Sequence, residues 1–127
     1  MHEESIVWKN TDFYIEPEES SVPWLKIYTS IPYKELSLLP QKLRHDICEL
    51  LYLIEKEMIS FYKPTKINIA SFGNYLPRVH WHIMARFEND SHYPEPMWGE
   101  RQRESSLILP DLTEFLGILL DRLEKFK

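Results

Sequence analysis

The sequence predicts an α+β fold, a mostly antiparallel five-stranded sheet joined to one long helix and a C-terminal helix. Three observations carry this reading. Short stretches rich in β-branched and aromatic residues occupy the first third of the chain and the region after Pro64. Between them, from Pro40 to Tyr62, apolar residues recur at three- and four-residue steps. The same helical spacing returns from about Pro110 to the end.

Taken in order, SIVWK and DFYIE, separated by Asn10-Thr11, form a hairpin, and the polar, proline-bearing EPEESSVP is a loop. WLKIYT is the third strand. In the helix that follows, Leu43, Ile47, Leu50, Ile54, Met58 and Phe61 make one apolar face. Pro40 suits its first turn and Pro64 ends it. Cys48 lies close to that face and reads as core, whereas His45, between Arg44 and Asp46, reads as solvated, as does His2. KINIASF is the fourth strand, GNYLP a turn, and RVHWHIMARF the fifth strand. The proline- and charge-rich ENDSHYPEPMWGERQRESS is irregular, and Met97 and Trp98 within it form an apolar plug. The last helix carries Leu112, Phe115, Leu116, Leu119, Leu123 and Phe126 on its apolar side. Residues 1–127 read as a single domain, with a core over 1–103 and the C-terminal helix over 104–127.

The totals exclude several classes. The 127 residues suffice for one core and not for two. With 43% apolar and 28% charged residues the composition is that of a globular protein. No apolar run approaches the roughly 18 to 20 residues of a membrane span. MHEESIVWKN has no basic stretch followed by an apolar one, so no secretory signal is expected. The single cysteine rules out an internal disulfide and points to a reducing, cytoplasmic setting. A net charge of -5 argues against a nucleic-acid partner but leaves room for a small phosphate ligand held by a local cluster of positive groups. The acidic cluster Glu16, Glu18 and Glu19 reads as solvated loop.

Chemistry concentrates between Asn68 and Arg86. On an extended strand Arg78, His80, His82 and Met84 share one face, and Val79, Trp81 and Ile83 share the other. That places two imidazoles about 7 Å apart along the backbone, beside a guanidinium. Neighbouring imidazoles can divide roles, one attacking and one holding charge or a proton. Histidine suits attack on phosphorus near neutrality because its ordinary pKa, about 6.5, leaves a nitrogen free. The turn Gly73-Asn74 can offer backbone N–H groups to an anion. A metal reading needs more ligands than His80 and His82. Asp90 and His92 lie in the loop without ligand spacing, so neither metal nor cofactor is expected.

The run NIASFGNYLPRVHWHIMAR resembles the histidine triad family, whose signature His-φ-His-φ-His-φ-φ lies on a strand preceded by an Asn and a Gly-Gln turn. Aligned this way, Arg78-Val79-His80-Trp81-His82-Ile83-Met84 meets the signature, Asn68 falls near the upstream Asn, and Gly73-Asn74 falls on Gly-Gln. A register starting at His80 would lose that spacing and leave Met84 in the third histidine's place. Arg78 in the first place is a departure, shared with a short bacterial branch that continues with an HYPEPMWG-like segment. The resemblance covers roughly residues 10 to 100 in element order. It implies His80 as the nucleophile toward a nucleotide α-phosphate and His82 as its catalytic companion. It also implies substrate contacts from Asn68, Gly73, Asn74 and Arg78, with Glu19 toward the ribose.

The histidine that many members carry near the end of the third strand is missing at Ser30, Ile31 and Pro32, so the partner of the triad is unassigned. The implied activity is hydrolysis of dinucleoside polyphosphates or nucleoside phosphoramidates through a nucleotidyl-histidine, as a homodimer acting on an adenine nucleotide. Two other readings stand beside it. One is a nucleotide-binding protein with little turnover because of Arg78; the other is a small interaction module using the sheet edge and the tail.

Overall fold

The structure, a computed structural model, describes residues 5–126. The expectation for His2 lies outside that range. Its strands are β1 (Trp8–Lys9), β2 (Phe13–Pro17), β3 (Trp24–Thr29), β4 (Lys66–Ala70) and β5 (His80–Arg86). They form one sheet in the order β1-β2-β3-β5-β4, every adjacent pair antiparallel. The long helix α1 spans Gln41–Tyr62 and the second helix α2 spans Leu112–Leu123. The predicted architecture is therefore the observed one.

One face of the sheet makes the core. Phe13 and Ile15 of β2, Leu25 and Ile27 of β3, and Trp81 and Ile83 of β5 pack against Leu43, Ile47, Leu50, Ile54 and Met58 of α1. Each fully buried side chain of this size contributes about 1.5–3 kcal/mol. Phe115, Leu119 and Leu123 of α2 enter the same core.

Pro40 sits just outside α1 and accepts the N–H groups of Leu43 and Arg44 through its carbonyl. Lys63 closes the helix in the left-handed region at φ 48°, and Pro64 prevents its continuation. Among the described residues, no helix is long and apolar enough to cross a membrane.

Three sequence expectations change. Cys48 is exposed, because a residue one step from Ile47 turns away from the apolar stripe. Tyr62, not Phe61, completes the buried face of α1. Glu16 is not in a solvated loop: β2 extends through Pro17, and Glu16 is buried where it meets Lys26 at 3.3 Å.

The segment between β5 and α2 has no strand or helix, yet it is tightly organised. Asp90 accepts N–H groups from Phe87, His92 and Tyr93 and pairs with Arg86. Both oxygens of the Asp90 carboxylate are thereby engaged by donors of its own chain. Among the described residues, no group of three or more His, Cys, Asp or Glu side chains is placed to hold a metal ion.

Candidate active site

The face of the sheet opposite α1 is built by register. His80 stands opposite Tyr28, His82 opposite Lys26 and Met84 opposite Trp24 across β3 and β5. Tyr28 and Lys26 in turn stand opposite Tyr14 and Glu16 on β2. The strands therefore place a row of rings, Tyr14, Tyr28 and His80, side by side. Tyr14 and Tyr28 stack at 5.0 Å and 12°, and Tyr28 and His80 at 5.1 Å and 14°.

His80 and His82 share a cleft of about 280 Å³ with Phe72, Gly73, Asn74, Tyr75, Leu76 and Trp98. The loop from β4 to β5 supplies five of these residues. Gly73 adopts φ 84°, a conformation side chains resist, and so sets the course of that loop. Ser71 fastens its start by donating to the His80 carbonyl at 2.7 Å. Trp98 reaches in from the tail, 4.8 Å from His82 and 4.8 Å from Phe72. The plug read from the sequence is thus a wall of the cleft. Among the described residues, no lysine or arginine lines it.

Hydrogen bonds fix what each imidazole presents. Nδ1 of His80 lies 2.9 Å from the carbonyl oxygen of Arg78. A carbonyl only accepts, so Nδ1 carries a proton and, in the neutral ring, Nε2 is the nitrogen with the lone pair. No hydrogen bond among the described residues engages that Nε2. His82 is arranged the opposite way. The Trp24 indole donates to His82 Nδ1 at 3.0 Å, so the proton of His82 sits on Nε2. Burial above all, then His80 and Lys26, pushes the His82 pKa down to about 4, with Glu18 opposing. The cleft therefore holds one imidazole nitrogen able to attack beside a neutral imidazole whose Nε2 carries a proton.

The remaining predicted residues are placed as follows. Gly73 and Asn74 line the cleft. Arg78 does not. Its guanidinium donates to the Thr29 carbonyl and lies 5.6 Å from the Tyr28 ring and 5.9 Å from the Tyr14 ring. The parity argument set Arg78 on the correct side of the sheet, but the tyrosines and Thr29 hold its charge beside the cleft. Asn68 lies on the same sheet face, one groove away, where its Oδ1 accepts from Arg86 at 2.8 Å. Glu19 is exposed and borders a separate groove with Leu109 and Pro110.

Sequence reasoning missed Trp24, Tyr28, Lys26 and Tyr14. The alternation of Trp24, Lys26 and Tyr28 with Leu25, Ile27 and Thr29 was the available signal, needing only the β3–β5 pairing to locate it. The partner of His82 is at the start of β3, not at its end around Ser30 to Pro32.

The sequence matches no protein-family model and no curated protein at a significant level. Solved structures do match. A histidine triad protein from Bradyrhizobium japonicum superposes with a TM-score of 0.76 at 24% identity, covering 95% of each chain. One from Sinorhizobium meliloti gives 0.75 at 22% identity, covering 94% of this chain and 90% of that one. A diadenosine triphosphate hydrolase from Plasmodium falciparum, in complex with cyclomarin A, gives 0.65 at 15% identity over 98% and 80%. The fold is that of the histidine triad proteins.

Proposed function

We propose that the chain is a nucleotide hydrolase in which His80 Nε2 attacks the α-phosphate of a dinucleoside polyphosphate or a nucleoside phosphoramidate. The observation that carries this is the Arg78 carbonyl on His80 Nδ1, which in the neutral ring keeps the proton there and puts the lone pair on Nε2. A nucleotidyl-histidine forms, and water releases the nucleoside monophosphate. The Nε2–H of His82, Asn74 and the N–H groups of the Gly73 loop hold the phosphoryl oxygens as charge develops. Phosphoryl transfer depends chiefly on such positioning, and this scheme calls for no metal. An adenine nucleotide as substrate draws support from the Plasmodium hydrolase of the same fold. A homodimer draws support from the exposed Ile69 and Phe72 on and beside the outer strand β4. A cytoplasmic setting draws support from the single, exposed cysteine.

A second reading, nucleotide binding with little turnover, is favoured by one observation. The first triad position is Arg78, and its charge is engaged at Thr29 and the tyrosines rather than in the cleft. One experiment separates the two. Wild type and His80→Asn are incubated with a diadenosine polyphosphate and with an adenosine phosphoramidate, and acid-trapped protein is searched by mass spectrometry for a nucleotidyl adduct. Turnover and an adduct on His80, both lost in the variant, are expected. Tight binding without turnover in either protein supports the second reading, and neither binding nor turnover defeats both.

A further inference from the structure

Displacement at phosphorus needs more than a nucleophile. Charge on the non-bridging oxygens must be stabilised, and the electron pair of the breaking bond must leave with the departing group. His82 is the other imidazole in the cleft, and its surroundings decide which task it performs. The Trp24 indole lies 3.0 Å away, pointing its N–H at Nδ1. An indole N–H has no lone pair to offer, so a proton on Nδ1 would set donor against donor. Neither ring can turn aside easily. Each is only 9% exposed, and Trp98 packs edge-on against both, at 5.1 Å from Trp24 and 4.8 Å from His82.

The charged and titratable groups around His82 do not relieve this. On its own strand stands His80. From β3 comes Lys26, whose ammonium is shared with Glu16 of β2 at 3.3 Å and with Glu18 just beyond it at 2.9 Å. Phe72 and Trp98, which close the remaining sides, carry no charge.

We propose that Trp24 is a positioning residue whose indole N–H, given to His82 Nδ1, makes His82 a permanent Nε2–H donor to a phosphoryl oxygen rather than an acid for the leaving group. The substrate class is restricted accordingly. His80 Nε2 forms the N–P bond, the P–O bond to the leaving group breaks, and the electron pair departs with that oxygen as an anion. Water then bonds phosphorus, the N–P bond returns its pair to Nε2, and the water's proton passes to solvent. His82 keeps its proton throughout, because surrendering Nε2–H would create an imidazolate. Phosphoric anhydrides and aryl phosphate esters meet this condition. An alkylamine phosphoramidate does not, because its nitrogen must gain a proton before the P–N bond breaks. The inference rests on the His80 reading and narrows it to one of its two substrate types.

The test has two arms. Long-range proton–nitrogen NMR on the ligand-free protein reads the His82 tautomer directly. Wild type should show Nδ1 bare and Nε2 protonated from pH 5 to 8, and Trp24→Phe, which keeps a ring in place, should show mixed tautomers. In the second arm, single-turnover release of aryl oxide is followed for adenosine 5′-(aryl phosphates) of graded leaving-group basicity. The wild-type rate should fall steeply as basicity rises, and Trp24→Phe should lower it roughly tenfold with a smaller change in KM. A proton on His82 Nδ1 in wild type, or a rate indifferent to leaving-group basicity, overturns the inference. Absence of any His80 adduct defeats the nucleophile assignment instead, and the tautomer measurement still decides the role of Trp24.

Discussion

The guanidinium of Arg78 lies 5.6 Å from the centre of the Tyr28 ring, and that same ring carries His80 stacked on it at 5.1 Å. Arg78 therefore bears on the proposed nucleophile directly through its backbone and indirectly through Tyr28, without entering the cleft. Its backbone carbonyl accepts the hydrogen bond from His80 Nδ1, and its side chain lies against the Tyr14 and Tyr28 rings. Between charge and aromatic face such contacts are worth about 0.5–2 kcal/mol. Removing the guanidinium frees the segment that carries the carbonyl, so Arg78→Met should lower kcat by roughly tenfold with little change in KM, alongside a stability loss of about 1–2 kcal/mol. Arg78→Lys keeps the charge but not the planar face, and should recover only part of both. Steady-state kinetics with urea denaturation check this; an Arg78→Met enzyme of undiminished kcat would show the carbonyl is held without the side chain.

Gly73 supplies a second handle on the cleft. An added Cβ would meet the Arg78 carbonyl oxygen at 3.5 Å, an ordinary contact, so the cost of Gly73→Ala lies in its φ of 84°. That strain is worth roughly 1–2 kcal/mol. A loop this short relieves it by shifting, which moves Asn74 and Tyr75 at the cleft. The expected result is a KM several-fold higher with a smaller loss of kcat. An unchanged KM would separate the loop from substrate binding.

Much of this was legible in the sequence, and what was not has a common cause. The strand WLKIYT and the helix from Gln41 follow from local periodicity, so β3 and α1 stand where the pattern put them. The face of β5 that carries His80 and His82 follows from parity alone. What periodicity cannot supply is pairing between strands. Trp24 reaches His82 across 58 residues, and Asn68 is drawn to Arg86 only because β4 and β5 meet in one register. Glu16 was hidden differently, since the acidic, proline-bearing EPEESS disguises the end of β2. The fold resides in single-strand patterns, and the site resides in the alignment of strands.

Acid should reveal the neutral state of His82. Its pKa is lowered from 6.5 to about 4 by burial first, then by His80 and Lys26. The unfolded chain then binds this proton more readily than the folded one. The stability contributed is complete above the ordinary histidine value and is lost as pH falls toward 4; below that both states are charged and the loss stops. His82→Gln, which can still accept from Trp24, has no such proton to bind. Urea denaturation at pH 7, 5.5 and 4 should show wild type losing more stability than the variant across this window. Parallel losses in the two proteins would mean that His82 is already charged when folded.

The tail that carries Trp98 is held by Arg86 and Asp90, which are 1% and 0% exposed. Arg86 donates from Nε to Oδ2 at 2.9 Å and from Nη2 to Oδ1 at 3.1 Å, and Nη2 also donates to the Glu95 carbonyl at 2.7 Å. Burial by itself would raise the Asp90 carboxyl. The Arg86 guanidinium and the N–H groups of Phe87, Tyr93 and His92 overcome it and hold the pKa at about 2, below the ordinary 3.8. The folded form is thus favoured above the ordinary value, and about 2 kcal/mol is lost as pH falls from above 4 toward 2. Asp90→Asn leaves a buried guanidinium without its counter-charge and should cost about 3–5 kcal/mol at pH 7. The acid-driven loss between pH 4 and 2 should be correspondingly smaller in the variant. Because Glu95 and Trp98 lie on the same stretch of tail, Trp98 should also loosen from His82, and its fluorescence should shift toward that of a solvated indole. Replacing both members, Arg86→Met with Asp90→Leu, should cost less than Asp90→Asn alone, since no charge is then left buried. A double variant weaker than the single would mean that the hydrogen bonds of Arg86 to Asn68 and Glu95 and of Asp90 to the N–H groups of Phe87, His92 and Tyr93, rather than the ion pair, hold the tail against the sheet.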